Sequence, residues 1–136
     1  MLRVVLDTNV LIAALAFQGE TKRIWDLARS RQFRLFTSMF ILSELERNLV
    51  KLGLNAGETA LLIEEVRGAA SVVEPRSKLS VIEQYEKDNR ILECALEAGA
   101  QVLVTGNLKH IRPLAFFEGI EILTPREFLS KYFARK

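Results

Sequence analysis

The feature that most constrains the fold of this chain is a regular alternation of short apolar runs with helical patterns. The apolar runs are rich in β-branched residues and lack polar alternation, which is typical of strands buried on both faces of a sheet. Strands are predicted at residues 3–6, 33–36, 71–73, 101–104 and 121–123. Helices are predicted at residues 9–16, 20–30, 38–52, 57–69, 88–98 and 125–134, with one further helical turn near 108–117. This order predicts an α/β fold of three α/β/α layers, in which helices cover both faces of a central parallel sheet.

Length and composition favour one domain. The 136 residues are enough for one hydrophobic core, and we expect a single domain over residues 1–136. No apolar run reaches the roughly 18 to 20 residues of a membrane span, and no signal peptide opens the sequence. The single cysteine, Cys94, excludes an internal disulfide and fits a reducing compartment. We therefore expect a cytoplasmic protein without membrane contacts, whose net charge of +2 permits a polyanionic partner.

Polar residues follow two of the predicted strands. Asp7, Thr8 and Asn9 come directly after the first strand, and Thr105 and Asn107 come after the fourth. In an open parallel sheet, ligands bind beyond the carboxyl ends of the strands, where the strand order reverses. Asp7 has a structural alternative, because an aspartate in this position also caps the helix that follows. Two strands thus deliver polar groups to the same edge, provided that both are central.

Two further acids lie on predicted helices. Glu44 flanks the apolar stripe of the third helix, where an ordinary flanking acid is the alternative. Asp88 begins the fifth helix on the side of its apolar stripe, where capping is the alternative. An ionised carboxylate that faces a core costs several kcal/mol unless it is paired, hydrogen-bonded or bound to a metal. Glu93 and Glu97 fall on the opposite side of that helix, and we expect both to be surface acids.

A hard divalent cation would reconcile three carboxylates that point toward one edge. Crowded acids repel one another and raise each other's pKa. Mg²⁺ and Mn²⁺ prefer oxygen ligands and keep several bound waters. Zinc is disfavoured, because the only cysteine and the only histidine, His110, have no ligand spacing. A lone loop histidine is more often structural than catalytic.

Three stretches together resemble the PIN-domain family of metal-dependent ribonucleases. They are VVLDTNVLIAAL, TSMFILSELERNL and KDNRILECALEAGAQVLVTGN. The resemblance is strongest to short prokaryotic members that act as toxin components of toxin–antitoxin pairs. It implies about five parallel strands in the order 3-2-1-4-5. Asp7, Glu44 and Asp88 match the family's catalytic acids, which hold one or two Mg²⁺ or Mn²⁺ ions.

Supporting positions match less completely. Thr8, Asn9 and Thr105 match the small polar residues that family sites carry in supporting roles. Family members usually have a further aspartate after the fourth strand, where this chain has Asn107. We expect Asn107 to be an auxiliary ligand, through its neutral carbonyl oxygen or through a bound water. The site then has three formal carboxylates, and we expect weaker metal affinity.

The resemblance implies hydrolysis of RNA phosphodiester bonds by a metal-activated water. It also implies a small antitoxin protein that covers the pocket, and a homodimer. The alternative is a catalytically weakened PIN-like module that binds RNA or protein, since Asn107 replaces an acid. A phosphotransferase of the haloacid-dehalogenase type is disfavoured, because Asn9 stands where that chemistry needs a second aspartate. Lys22, Arg23, Lys109 and Arg112 could contact phosphate, although a solvated basic face is the simpler interpretation.

Overall fold

The computed structural model describes residues 1–82 and 85–134, so four residues of the predicted domain lie outside these ranges. Its strands are β1 Arg3–Leu6, β2 Arg34–Ser38, β3 Ala70–Val73, β4 Val102–Val104, β5 Phe116–Phe117 and β6 Ile120–Leu123. Its helices are α1 Thr8–Ala16, α2 Glu20–Arg29, α3 Met39–Lys51, α4 Ala56–Ala69, α5 Glu86–Glu97 and α6 Pro125–Tyr132. A short 3₁₀ turn spans Arg112–Leu114. Within the described ranges, no helix is both long and apolar enough to cross a membrane.

The strands form one mixed sheet in the order β3-β2-β1-β4-β6-β5. The first five of these are parallel to their neighbours, which confirms the predicted order of five parallel strands. The short β5 is an additional edge strand that pairs antiparallel with β6. A two-residue turn with positive φ at Glu118 and Gly119 joins them. Such turns match the twist of a hairpin, so part of the segment predicted to be helical is a hairpin strand.

The direction of chain progression reverses between β1 and β4. The chain moves outward from β1 to β2 to β3 and then returns through α5 to β4, on the other side of β1. Right-handed crossovers therefore place α1 to α4 on one face of the sheet and α5 on the other. In agreement, α1 packs against α2 and α3, whereas α5 packs against β1 and β2. The carboxyl ends of β1 and β4 thus form the switch point where ligands bind in sheets of this kind.

The core is centred on β1 and β4. Val4, Val5 and Leu6 of β1 are fully buried, as is every residue of β4. In the parallel register Leu6 is opposite Val104, and the Asp7 amide donates to the Val104 carbonyl over 3.0 Å. The residues that follow the two strands therefore emerge side by side. A capping box begins α6, where the Thr124 hydroxyl accepts from the Glu127 backbone amide and the Glu127 carboxylate accepts from the Thr124 backbone amide.

Candidate functional site

Asp7 lies at the switch point, buried at 3% exposure. One of its carboxylate oxygens accepts a hydrogen bond from the Val10 amide over 2.9 Å, so Asp7 is the N-cap of α1. Its other oxygen accepts a hydrogen bond from the Thr105 hydroxyl. Asp7 therefore has the structural role of a cap and also stands at the predicted site. The two oxygen atoms of its carboxylate thus bond to different donors, one on α1 and one after β4.

Burial raises the pKa of Asp7 above its ordinary value. The hydrogen bonds from Thr105 and Val10 oppose this rise, and the nearby charge of Asp88 adds to it. Among the ion pairs of the described residues, none involves Asp7. The partners seen for this carboxylate are thus neutral groups, and its desolvation is left without a counter-charge.

Glu44 lies on α3 and is buried at 8% exposure. Its Oε1 accepts from the Arg47 guanidinium one turn along the helix, and its Oε2 lies 3.7 Å from Lys87 Nζ on α5. We expected an acid on the flank of the apolar stripe, and the burial agrees. The two cations were not expected, although the i,i+3 spacing of Glu44 and Arg47 is compatible with an ion pair.

Asp88 lies in the first turn of α5 and is half-buried. The capping alternative is wrong, because Tyr85 occupies the cap position and the Asp88 amide donates to the Tyr85 carbonyl over 3.1 Å. Partial burial raises the pKa of Asp88, while His110 and Asn107 oppose the rise. The carboxylate thus does not cap α5, and it faces Asn107 in the loop after β4.

Asn107 is the partner of Asp88. Its side-chain amide Nδ2 donates to Asp88 Oδ1 over 3.1 Å. Its Oδ1 accepts from the backbone amides of His110 over 3.0 Å and Lys109 over 3.3 Å. These two donors fix the orientation of the side-chain amide, because a flipped amide would put nitrogen against two N–H groups. In this arrangement the neutral nitrogen of Asn107, and not its carbonyl oxygen, meets the acid.

These side chains meet in one cleft of about 250 Å³. It is lined by residues of β-strand ends, α1, α3, α5 and the loop after β4: Asp7, Thr8, Asn9, Phe40, Glu44, Asn48, Lys87, Asp88, Ile91, Asn107 and Ile111. All three predicted acids, Thr8, Asn9 and Asn107 thus belong to the same cleft. Thr105 is fully buried behind the cleft, where its hydroxyl also accepts from the backbone amide of Asn107 over 2.9 Å. The hydroxyl therefore connects the ends of β1 and β4.

The sequence pattern of the PIN domain matches residues 3–109. The chain belongs to the PIN domain family. No curated protein has a significantly similar sequence. Solved structures share the fold at low sequence identity.

One similar structure is that of VapBC2 from Rickettsia felis bound to a DNA fragment from their promoter. The aligned chain has 16% sequence identity to this one, with a TM-score of 0.63. The alignment covers 89% of this chain and 97% of that one. VapBC-1 from nontypeable Haemophilus influenzae is 19% identical, with a TM-score of 0.64 and coverage of 92% and 99%. FitAcB from Neisseria gonorrhoeae is 19% identical, with a TM-score of 0.57 and coverage of 90% and 98%. These similarities support the PIN-like fold.

The donor set of this PIN domain suits a hard divalent cation. The cleft offers three carboxylates, and Asp7 is a desolvated acid with no cation among its observed partners. In the conformation described for residues 1–82 and 85–134, no three His, Cys, Asp or Glu side chains are close enough to share one ion. Glu44 is engaged by Arg47 and Lys87. The three carboxylates are the kind of ligand that Mg²⁺ and Mn²⁺ prefer, and a bound ion would need Glu44 to exchange its partners.

One acid of this PIN domain is placed differently from expectation. Glu93 is buried at 6% exposure, so its prediction as a surface acid is wrong. Its carboxylate accepts from the Leu79 amide over 2.7 Å and pairs with Arg90 over 2.7 Å. Residues 74–82, which precede α5, cover this side of the helix, and Glu97 bonds to Arg76 of the same stretch. Helical periodicity does not reveal such covering, because the segment itself has no regular pattern.

Aromatic residues connect the two elements that present Asp88 and Asn107. The rings of Tyr85 and His110 stack with centroids 3.8 Å apart and an interplanar angle of 26°. Tyr85 caps α5, and His110 lies in the loop after β4. We expected His110 to be structural, and the stack gives it a packing role. The only sequence indication was the closeness of each residue to a predicted acid or amide.

Proposed function

We propose that this PIN domain is a divalent-metal-dependent endoribonuclease that hydrolyses RNA phosphodiester bonds. The observation that supports the proposal most directly is the convergence of Asp7, Glu44 and Asp88, from three separate elements, in one cleft at the switch point of the sheet. A purely structural role does not require three acids in one cleft, because taking carboxylates out of water lowers stability unless a counter-charge compensates, and Asp7 has no cation among its observed partners. Loss of stability of this kind is typical of functional sites.

Asp7, Glu44 and Asp88 would hold one or two Mg²⁺ or Mn²⁺ ions, which lower the pKa of bound water and neutralise the charge of the scissile phosphate. Thr105 and the Val10 amide orient the Asp7 carboxylate from behind. Asn107 orients Asp88 through its amide nitrogen. Thr8 and Asn9 line the cleft at the start of α1 and contribute polar groups to it. Asn107 would also be an auxiliary ligand of the metal, through a bound water.

We also propose that the chain is the toxin component of a toxin–antitoxin pair in the cytoplasm. The support is its resemblance to short prokaryotic PIN-domain toxins, together with a fold shared over nearly the full length of the VapBC and FitAcB chains. The partner would be a small antitoxin protein that covers the cleft, and the PIN domain would form a homodimer. Co-expression with the product of the adjacent gene, followed by isolation of a complex that lacks ribonuclease activity, tests this part.

Cleavage of a labelled single-stranded RNA tests the enzymatic proposal. Asp7→Asn, Glu44→Gln and Asp88→Asn should each lower the rate by about 100-fold or more, since each removes a negative oxygen ligand worth several kcal/mol of charge stabilisation. EDTA should abolish cleavage, and Mg²⁺ or Mn²⁺ should restore it. Glu46→Gln is the matched control, because Glu46 lies on the same helix as Glu44 but is exposed. Unchanged rates in all three variants would reject the proposed site.

The second candidate function is an RNA-binding or protein-binding module with weakened catalysis. Asn107 favours it, because this residue presents a hydrogen-bond donor to Asp88 where the family usually has an acid. Asn107→Asp separates the two candidates. In a ribonuclease, the added carboxylate should raise Mn²⁺ affinity or the cleavage rate. In a binding module, RNA or protein binding should be insensitive to Asp7→Asn and Asp88→Asn, and no variant should cleave.

A further inference from the structure

Two cations from different helices meet at Glu44. Arg47 is on α3, one turn after Glu44, and Lys87 is on α5, directly before Asp88. The Glu44 side chain is only 10% exposed, whereas the side chains of Arg47 and Lys87 are 59% and 72% exposed. The acid is therefore anchored in the wall of the cleft, while both cations extend largely into solvent.

This asymmetry makes the two cations exchangeable. An ion pair whose cation is mostly exposed contributes little stability, because water solvates the cation nearly as well as the acid does. A divalent ion interacts with a buried carboxylate far more strongly than a screened ammonium group does. Arg47 and Lys87 can leave Glu44 by rotation of their own long side chains, without any movement of α3 or α5.

We propose that Arg47 and Lys87 are alternating counterions of this site. Without a divalent ion they neutralise Glu44, and with the ion bound they turn to the phosphates of the RNA backbone next to the scissile bond. The inference rests on the proposed ribonuclease function and assigns these cations to metal-coupled RNA binding. Arg47 suits the second role because its guanidinium binds phosphate with two parallel hydrogen bonds.

Removal of Arg47 and Lys87 should affect the binding of metal and of RNA in opposite directions. Arg47 and Lys87 compete with the metal for Glu44, so their removal should strengthen metal binding. The same cations contact phosphate, so their removal should weaken RNA binding. Metal and RNA would therefore bind with positive coupling, because the ion releases the groups that RNA needs. Loss of folding in a variant would weaken the binding of both ligands, so it cannot produce these opposite effects.

The expected gain in metal affinity is tested by titrating metal-free protein with Mn²⁺. The electron paramagnetic resonance signal of the free ion monitors binding. Arg47→Gln and Lys87→Gln should each bind Mn²⁺ about threefold tighter than wild type, and the double variant about tenfold tighter, as expected for loss of weak ion pairs. Arg47→Lys keeps the charge and should stay near wild type. Lys51→Gln is the matched control, because Lys51 is an exposed cation at the end of α3, outside the cleft.

Fluorescence anisotropy of a short phosphorothioate RNA, with Mn²⁺ present, tests the second effect. The double variant should bind about tenfold more weakly, and its affinity should depend less steeply on salt, by about 0.7 in logarithmic slope for each lost phosphate contact. Adding Mn²⁺ should strengthen RNA binding by wild type more than by the double variant. Circular dichroism checks that each variant is folded.

Mn²⁺ affinity that is unchanged or weaker in Arg47→Gln and Lys87→Gln would overturn the inference, even if RNA is cleaved normally. RNA affinity that is unchanged in the double variant would overturn it as well. If Mn²⁺ binding rises as expected but no protein cleaves RNA, the ribonuclease proposal fails while the counterion role stands. If neither wild type nor any variant binds Mn²⁺, both fail.

Discussion

Asp7 and Glu44 line the same cleft but are held by different kinds of partner. Asp7, at the end of β1, is fixed by the Thr105 hydroxyl and the Val10 backbone amide, and both donors are buried. Glu44 is held by two long cationic side chains that are mostly exposed. The first acid is therefore positioned by the sheet itself, and the second by contacts that solvent, salt and ligands can replace. One half of the cleft is preorganised and the other half is adaptable.

The largest stability effect expected on the Asp7 side comes from Thr105→Val. The substitution keeps the shape of the side chain but removes the hydroxyl that donates to Asp7 and accepts from Asn107. Leaving these buried groups unpaired should lower the free energy of unfolding by about 1 to 3 kcal/mol. Urea unfolding of metal-free protein at pH 7 measures this change.

Thr37→Val is the control for that experiment. Thr37 is also fully buried, but its hydroxyl has no hydrogen-bond partner among the residues described. Removing an unpaired buried hydroxyl should leave stability unchanged or raise it. A loss as large as that of Thr105→Val would show that the Asp7 side is not held by this hydroxyl in particular.

The pH dependence of Asp7→Asn should be intermediate in size. Burial raises the pKa of Asp7 in the folded chain, so the folded state binds this proton more tightly than the unfolded state. The stability due to protonated Asp7 is complete below the unfolded pKa and is lost as pH rises through the folded pKa. In EDTA at pH 7, Asp7→Asn should therefore be more stable than wild type, because its neutral amide can still cap α1.

That advantage should shrink as pH falls below 7 through the raised pKa of folded Asp7, where wild type takes up the proton. Unfolding by urea across this pH range provides the measurement. Thr37→Val, which changes no titratable group, should differ from wild type by the same amount at every pH. An Asp7→Asn advantage that grows on acidification would contradict the assigned direction of the pKa shift.

The smallest effect should come from Arg47→Gln on the Glu44 side. Loss of this partly exposed ion pair should lower the free energy of unfolding by less than about 1 kcal/mol in dilute buffer. The difference should vanish near 1 M salt, where the Debye length is about 3 Å. The effect of Thr105→Val should persist at the same salt concentration. Equal salt dependence of the two variants would erase the distinction between the two sides of the cleft.

Much of the fold was accessible from the sequence, because its strongest patterns are local. The apolar runs at β1 and β4 and the polar residues after them predict two central strands that end at one edge. The parallel order is confirmed, and Asp7, Glu44 and Asp88 lie in one cleft as expected. Their roles in catalysis stay predictions.

Other features depend on contacts between distant segments, which periodicity does not encode. The hairpin strand Phe116–Phe117 is too short to show alternation, and it forms only because β6 is there to pair with it. Glu93 is buried by a segment that precedes its helix. The orientation of the Asn107 amide follows from two backbone donors further along the chain.

The stack of Tyr85 on His110 joins the start of α5 to the loop after β4. Asp88 lies one turn beyond Tyr85 and accepts from the Asn107 side chain, and Asn107 accepts from the His110 backbone amide. Together with the stacked aromatic rings, these contacts form a closed circuit. Because Tyr85 is 45% exposed, a molecule that displaced its side chain would act on Asp88 and Asn107 together.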